Sequence, residues 1–194
     1  MDEIIDRLGN ISFSDNFKIK NNGCKYDIGH DSKILSKIYE CIVIEELKKS
    51  ISDLEEIEFI ENSVQNKYPD FIIIANGKYY ALDIKSTYLK NKRLNGFTLG
   101  TYKGYFRDRS SKRNIVLPYK KFEKHYCFCI VYKRKKCSTP VKYTFLREKW
   151  ELASKSTGSG NTCNIGSIKC VQKILDGETI FENEEEFNKW WMNY

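Results

Sequence analysis

The stretch that most restricts how this chain can fold is YPDFIIIANGKYYALDIK, residues 68–85. Two apolar, strand-forming runs (residues 71–75 and 79–82) flank Asn76-Gly77. An Asn-Gly pair between such runs predicts a β-hairpin, because both central positions of the tight turn take positive φ. A two-residue turn pairs positions symmetrically about itself. That sets Asp70 directly across the ladder from Asp83, with Cβ atoms roughly 4.5–5.5 Å apart. Lys85, two residues beyond Asp83, projects from the same face, and Ile84 from the other.

Carboxylates held opposite each other repel, so the pattern calls for a cation between them. Oxygen ligands from two aspartates, with room for water and phosphate oxygens, suit Mg²⁺ better than zinc. A lysine ammonium beside that ion can position a water and help deprotonate it for attack on a phosphodiester. Asp-x-Lys on its own is common and is usually solvated. Its weight here comes from the acid at the far end of the hairpin.

The chain has 194 residues, enough for one domain (1–194) with a proper core. No apolar stretch approaches the roughly 20 residues that span a bilayer. The acidic start Met1-Asp2-Glu3 lacks a signal-peptide core, so a cytoplasmic protein without a membrane partner is expected. The seven cysteines contain no CxxC pair. Cys127 and Cys129 alternate with Tyr126, Phe128 and Ile130 and read as reduced core thiols. Two histidines, His30 and His125, argue against a His-rich zinc site or a Cys/His nucleophile. The net charge of +7 permits a polyanionic partner. Basic residues cluster at Lys90-Asn91-Lys92-Arg93, at 107–113, at 120–124 and at 133–136, interleaved with aromatics. Nucleic acid is the favoured partner, with solvated lysine-rich loops as the alternative.

In chain order, residues 3–8 form a short helical candidate. Asp31-Ser32 caps a helix to about Lys49, with Ile34, Leu35, Ile38, Ile42 and Val43 as its apolar stripe and Glu40 among them. Residues 57–60 suggest a strand. Pro118 reads as the first position of a short helix through Lys124. Residues 126–132, apolar on both parities, predict a central strand buried on both faces, and 141–145 a neighbour. Asn183 caps a C-terminal helix whose Glu184, Glu185 and Glu186 suit the helix dipole. Phe187, Trp190 and Trp191 are read as its buried face. Residues 157–167, TGSGNTCNIGS, match neither a dinucleotide fingerprint nor a Walker loop. Glycine there permits close approach to a ligand. Asn can bond adenine bidentately, and a Thr methyl can pack on that of thymine. A plain surface loop has the same composition.

Taken together, HDSKILSKIYE (30–40), QNKYPDF (65–71), ALDIKSTY (81–88), FTLGTY (97–102), NIVLPY (114–119), GSGNTCNIGSI (158–168) and IFENEEEFNKWWMNY (180–194) resemble the EcoRV-type type II restriction endonucleases. These belong to the PD-(D/E)xK nuclease superfamily. The resemblance implies an α/β fold, a restriction-endonuclease-like core with a central mixed β-sheet flanked by helices. It implies a homodimer, helped by its N-terminal part, straddling a palindrome in double-stranded DNA. Asp70 and Asp83 would hold Mg²⁺, with the backbone of Ile84 beside them. Lys85 would act at the attacking water, and Glu40 would be an auxiliary acid near the metal. Gly158, Ser159, Gly160, Asn161, Thr162, Cys163 and Asn164 would form the major-groove recognition loop, with Asn161 reading adenine and Thr162 touching a thymine methyl. Gln65, Asn66 and Lys67 would lie on the minor-groove side, and Ser32 and Lys33 near the DNA backbone. The implied reaction is hydrolysis of both strands at GATATC, cut centrally to blunt ends with 5′-phosphates, while a cognate methyltransferase protects host DNA.

The sequence departs from the family pattern at Val64, where the family has Gln, at Lys67, where it has His, and at Cys163, where it has Thr. The family's chain also continues into a basic tail beyond the tryptophan-bearing helix, so weaker, less salt-sensitive DNA binding is expected here. Two alternatives remain: a structure- or damage-directed repair nuclease of the same fold, which has no need of the 158–164 loop, and a DNA-binding module with a dead site, which has no need of Asp70, Asp83 and Lys85 together.

Overall fold

The computed structural model describes residues 4, 8, 10–51, 57–64, 67–107, 115–136, 138–158 and 163–194. Its centre is a six-stranded mixed sheet. β1 (Lys18–Asn21) and β2 (Cys24–Asp27) form a separate exposed ribbon. The sheet proper is ordered β3 (Ile57–Glu61), β4 (Phe71–Ala75), β5 (Lys78–Lys90), β7 (Lys124–Lys133), β8 (Val141–Glu148), with the short β6 (Arg93–Leu94) paired to β5. Only β5 and β7 run parallel. A second hairpin, β9 (Ala153–Thr157) with β10 (Ile165–Ser167), stands apart.

The Asn76-Gly77 turn forms as expected, with φ of 52° and 71°. The β4–β5 register follows from it, Phe71 facing Leu82 and Ala75 facing Lys78. Alternation along β5 then divides the molecule. Ala81, with Cys127, Cys129 and Phe145, joins the core beneath the C-terminal elements. Leu82 and Ile84, with Phe71, Phe128 and Ile130, join a second core under helix α1 (Ser32–Ile51).

Asp31 caps α1, its Oδ1 accepting from the N–H groups of Lys33 (2.8 Å) and Ile34 (3.0 Å). Such a cap is worth about 1 kcal/mol. The buried stripe is Leu35, Tyr39, Val43 and Leu47, with Ile44 and Ile51. This corrects the expected stripe. The row spaced every fourth residue meets the sheet, so Ile34 is exposed while Tyr39 fills the core against Phe13, Phe17 and Tyr132. Of residues 3–8, only Ile4 and Leu8 are described, both helical and buried.

Pro118 precedes a single 3₁₀ turn, Tyr119–Lys121, rather than a helix to Lys124, because β7 starts at Lys124. After β8 come α2 (Lys149–Leu152), α3 (Val171–Leu175) and α4 (Glu184–Asn193). Asn183 caps α4, accepting from Glu186 N–H at 2.9 Å. Phe187 and Trp191 are fully buried, but Trp190, about 100° further round the helix, is exposed. Cys127 and Cys129 are buried thiols, as expected. Among the described residues, no helix is long and apolar enough to cross a membrane.

Candidate active site

The β4–β5 hairpin brings Asp70, Asp83 and Lys85 to one face of the sheet. Asp70 Oδ2 accepts the Ile84 N–H at 2.7 Å, and the Asp70 N–H reaches Asp83 Oδ1 at 3.4 Å. Lys85 Nζ lies 2.7 Å from Asp83 Oδ2 and 3.9 Å from Asp70 Oδ2. An ammonium thus sits where two opposed carboxylates need positive charge. Asp83 is the interior member of the set, with a side chain 5% exposed, against 24% for Asp70 and 22% for Lys85.

Burial and position set the charges apart. Burial, together with the charge of Asp83, pushes the Asp70 carboxyl up to about 7. Burial also pushes Asp83 upward, but the Lys85 and Lys149 ammoniums outweigh it and hold this carboxyl below the usual range. Burial alone would lower Lys85. The Asp83 and Asp70 carboxylates more than reverse this and keep it firmly protonated. Two carboxylates with perturbed and opposed tendencies, in partial contact with solvent, mark this as the candidate functional site.

The same register disposes of the Ile84 carbonyl. Continued two pairs further, the ladder sets Ile84 opposite Pro69, which has no N–H to donate. The Ile84 N–H goes to Asp70 instead, and the carbonyl on that strand edge lacks its ladder donor. Two carboxylate oxygens plus a carbonyl, beside open solvent, fit a Mg²⁺-type ion that keeps waters and binds phosphate oxygens. Among the described residues, no group of three or more His, Cys, Asp and Glu side chains gathers for a metal. The donor set therefore rests on two carboxylates and backbone.

Glu40 lies on α1, which packs on the opposite face of the sheet. Its Oε1 pairs with Lys37 at 2.6 Å, although its charge still bears on Asp70. α1 is tied to β5 close by, Ser36 Oγ meeting Ser86 Oγ at 2.7 Å. Ser32 and Lys33 open α1 and are exposed. Lys67 is half-buried, its carbonyl accepting from Asn62 Nδ2 at 2.8 Å. Gln65 and Asn66 lie outside the described residues.

The Gly/Asn segment connects β9 to β10. Ser159, Gly160, Asn161 and Thr162 lie outside the described residues, but the base of the loop is built from described ones. Gly158 N–H donates to the Asn164 carbonyl at 2.9 Å, and Tyr102 N–H to the Cys163 carbonyl at 3.0 Å. Asn164 bridges to Thr101. Gly166 is obligatory, because a Cβ there would lie 2.5 Å from the Ser156 carbonyl oxygen. Ala153, Ile165 and Ile168 pack in the core on the Ala81 side, so this hairpin is rooted on the face that carries Asp83.

Sequence reasoning missed Lys149, which is 1% exposed beside this site. Burial pushes its ammonium down to about 8, against the pull of Asp83. Lysine is almost never fully buried, and nothing in REKWEL (147–152) marks this one. His125 is likewise interior, Nδ1 meeting Tyr68 Oη at 2.6 Å with the Tyr119 ring stacked 3.5 Å away. Burial and the Lys149 charge keep it well below its usual pKa.

Comparison with known proteins gives the family. Residues 12–194 match the sequence profile described as "Restriction endonuclease EcoRV". The type II restriction enzyme EcoRV of Escherichia coli is 35% identical over 200 residues, spanning 91% of this chain and 80% of that protein. The NlaIV restriction endonuclease, at 16% identity, superposes with a TM-score of 0.59 over 98% of this chain and 77% of that one, a likeness of fold. This chain belongs to the EcoRV family of type II restriction endonucleases.

Proposed function

We propose that the protein is a Mg²⁺-dependent endonuclease that cuts both strands of double-stranded DNA at GATATC. Cleavage falls at the centre of the site and leaves blunt ends with 5′-phosphates. The observation that carries the chemistry is the convergence of Asp70, Asp83 and Lys85 at one end of the β4–β5 hairpin. Asp70, Asp83 and the Ile84 carbonyl would hold the cation. Bound there, Mg²⁺ supplies Lewis-acid polarisation of a phosphoryl oxygen and a more acidic water. Asp70 takes part only as a carboxylate. Lys85, kept protonated by its neighbours, acts as a donor that orients the attacking water and meets charge building on the phosphate. Glu40 adds negative potential from α1.

The target assignment rests on the recognition loop. Gly158 and Gly160 offer backbone groups, Asn161 reads adenine, Thr162 contacts a thymine methyl, and Ser159, Cys163 and Asn164 complete the loop. Gln65, Asn66 and Lys67 touch the minor-groove side, and Ser32 and Lys33 the phosphates. A palindrome calls for a homodimer. The β1–β2 ribbon supports this, since Ile19 and Tyr26 are about half exposed on it. A partner methyltransferase would shield the same site in the host.

The test is digestion of plasmid DNA with Mg²⁺, followed by sequencing of the ends. The expected result is discrete fragments ending mid-GATATC. Fragments ending at another short palindrome would overturn the target, and a smear of random breaks would overturn site-specific cleavage.

A further inference from the structure

Asp83 has two cationic neighbours, one partly open to the cleft and one in the interior. Lys85 meets it from the cleft at 2.7 Å. Lys149, at the start of α2, comes from the interior, with its Nζ 3.4 Å from the centroid of the Tyr68 ring, 4.6 Å from that of Tyr105 and 5.7 Å from that of Tyr119. Its one hydrogen bond among the described residues goes to Tyr105 Oη at 3.3 Å. None of the described carboxylates lies within ion-pair distance of it, yet its charge acts on Asp83. A buried ammonium is costly unless compensated. Here π faces supply part of the compensation and the active-site carboxylate the rest.

The cage is itself held in place. Tyr105 Oη packs against Gly100 (φ 95°) so closely that any Cβ at that position would collide with it, and it donates to the Leu99 carbonyl at 3.4 Å. Leu99 and Gly100 in turn pair with Ile165, at the root of the recognition loop.

We propose that Lys149 is a positioning residue, a permanent interior counter-charge to Asp83 that frees Lys85 to turn from the carboxylates toward the attacking water and the phosphate. The inference rests on reading Asp70, Asp83 and Lys85 as the catalytic set. Two carboxylates with one ammonium would pin that ammonium between them. A second positive charge behind Asp83 loosens this hold without occupying the cleft.

The test replaces the charge but keeps the shape, with Lys149→Met. Thermal melting, DNA affinity in Ca²⁺, heat of Mg²⁺ binding to the free protein, and steady-state cleavage are measured against wild type. The expected variant melts close to wild type, since Asp83 keeps Lys85 as its direct partner and the cost of burying the Lys149 ammonium is removed with it. It binds DNA within twofold of wild type, cleaves with kcat at least tenfold lower, and binds Mg²⁺ several-fold more weakly because Lys85 stays against Asp83. Unchanged kcat and Mg²⁺ affinity would overturn the proposal. Tighter Mg²⁺ binding would do so too, since Lys149 would then merely repel the ion. Should Lys149→Met not fold, Tyr105→Phe removes the hydroxyl that orients the ammonium. A threefold or greater fall in kcat with weaker Mg²⁺ binding is then expected, and wild-type values would overturn the proposal. Absence of Mg²⁺-dependent cleavage by the wild type would instead defeat the catalytic reading itself.

Discussion

Two hairpins furnish one face of the molecule, β4–β5 within the central sheet and β9–β10 packed against it, and they are built in opposite ways. β4–β5 closes through two residues whose positive φ fixes the register, so Asp70, Asp83 and Lys85 are placed by a local rule. β9–β10 carries the longer 158–164 connection, and what fixes its root is distant: the pairing with Leu99, Gly100 and Thr101, and the absence of a side chain at Gly166. Chemistry requires groups held within fractions of an ångström. A reader of base edges instead needs a segment that can enter a groove. A short turn serves the first need, and a longer connection held at its root suits the second.

The contrast is broken most severely by cutting at each hairpin separately. Asp83→Ala should lower cleavage of every DNA sequence by at least about a hundredfold, with DNA binding retained. Asn161→Ala should reduce cognate cleavage by about ten- to a hundredfold, the worth of one bidentate base contact, while nonspecific binding stays near wild type. Plasmid cleavage beside a gel-shift assay separates the two. Cognate cleavage that survived Asn161→Ala would remove the loop from recognition.

Within the first hairpin, the two carboxylates should part company in stability. Asp83→Asn leaves the Lys85 and Lys149 ammoniums buried without their common partner. A loss of about 3 kcal/mol is expected. Asp70→Asn keeps an acceptor for Ile84 N–H and relieves a like-charge contact, so at pH 8 it should melt at or above the wild-type temperature. Both should be inactive. Equal destabilisation in thermal melts would contradict the asymmetry.

The smallest effect is in pH. Asp70 is raised from 3.8 to about 7, chiefly by burial. The folded protein therefore holds that proton more tightly than the unfolded chain. Its contribution to stability is full below pH 3.8 and is lost as pH rises through about 7. Activity runs the other way, because only the carboxylate is a ligand. At Mg²⁺ well below saturation, cleavage should rise with pH through about 7, whereas DNA binding without divalent cation should weaken over the same range as Asp70 gains a negative charge beside the phosphate.

What could be read from the sequence follows the same division. Asn76-Gly77 names its own turn, and alternation then carries Asp83 and Lys85 to one face, so the geometry of the candidate site was legible from eighteen residues. The Asp31 and Asn183 caps were legible for the same reason, because a cap bonds within its own turn. Long-range packing was not. The α1 stripe was misplaced because Tyr39 reads as a half-polar residue until the sheet beneath it is known. Trp190 resembles Trp191 in composition and differs from it only in azimuth. Lys149 gave no sign of burial, since its cage comes from Tyr68, Tyr105 and Tyr119, which lie 30 to 81 positions earlier in the chain.

The central claim is that Asp70 and Asp83 share one catalytic cation. Anomalous diffraction from crystals soaked in Mn²⁺, a scatterer that takes Mg²⁺-type oxygen sites, tests this most directly. A peak is expected within coordination distance of one oxygen from each aspartate, absent in Asp83→Ala crystals. A peak elsewhere that leaves both aspartates unligated, in protein that still cleaves DNA, would contradict it.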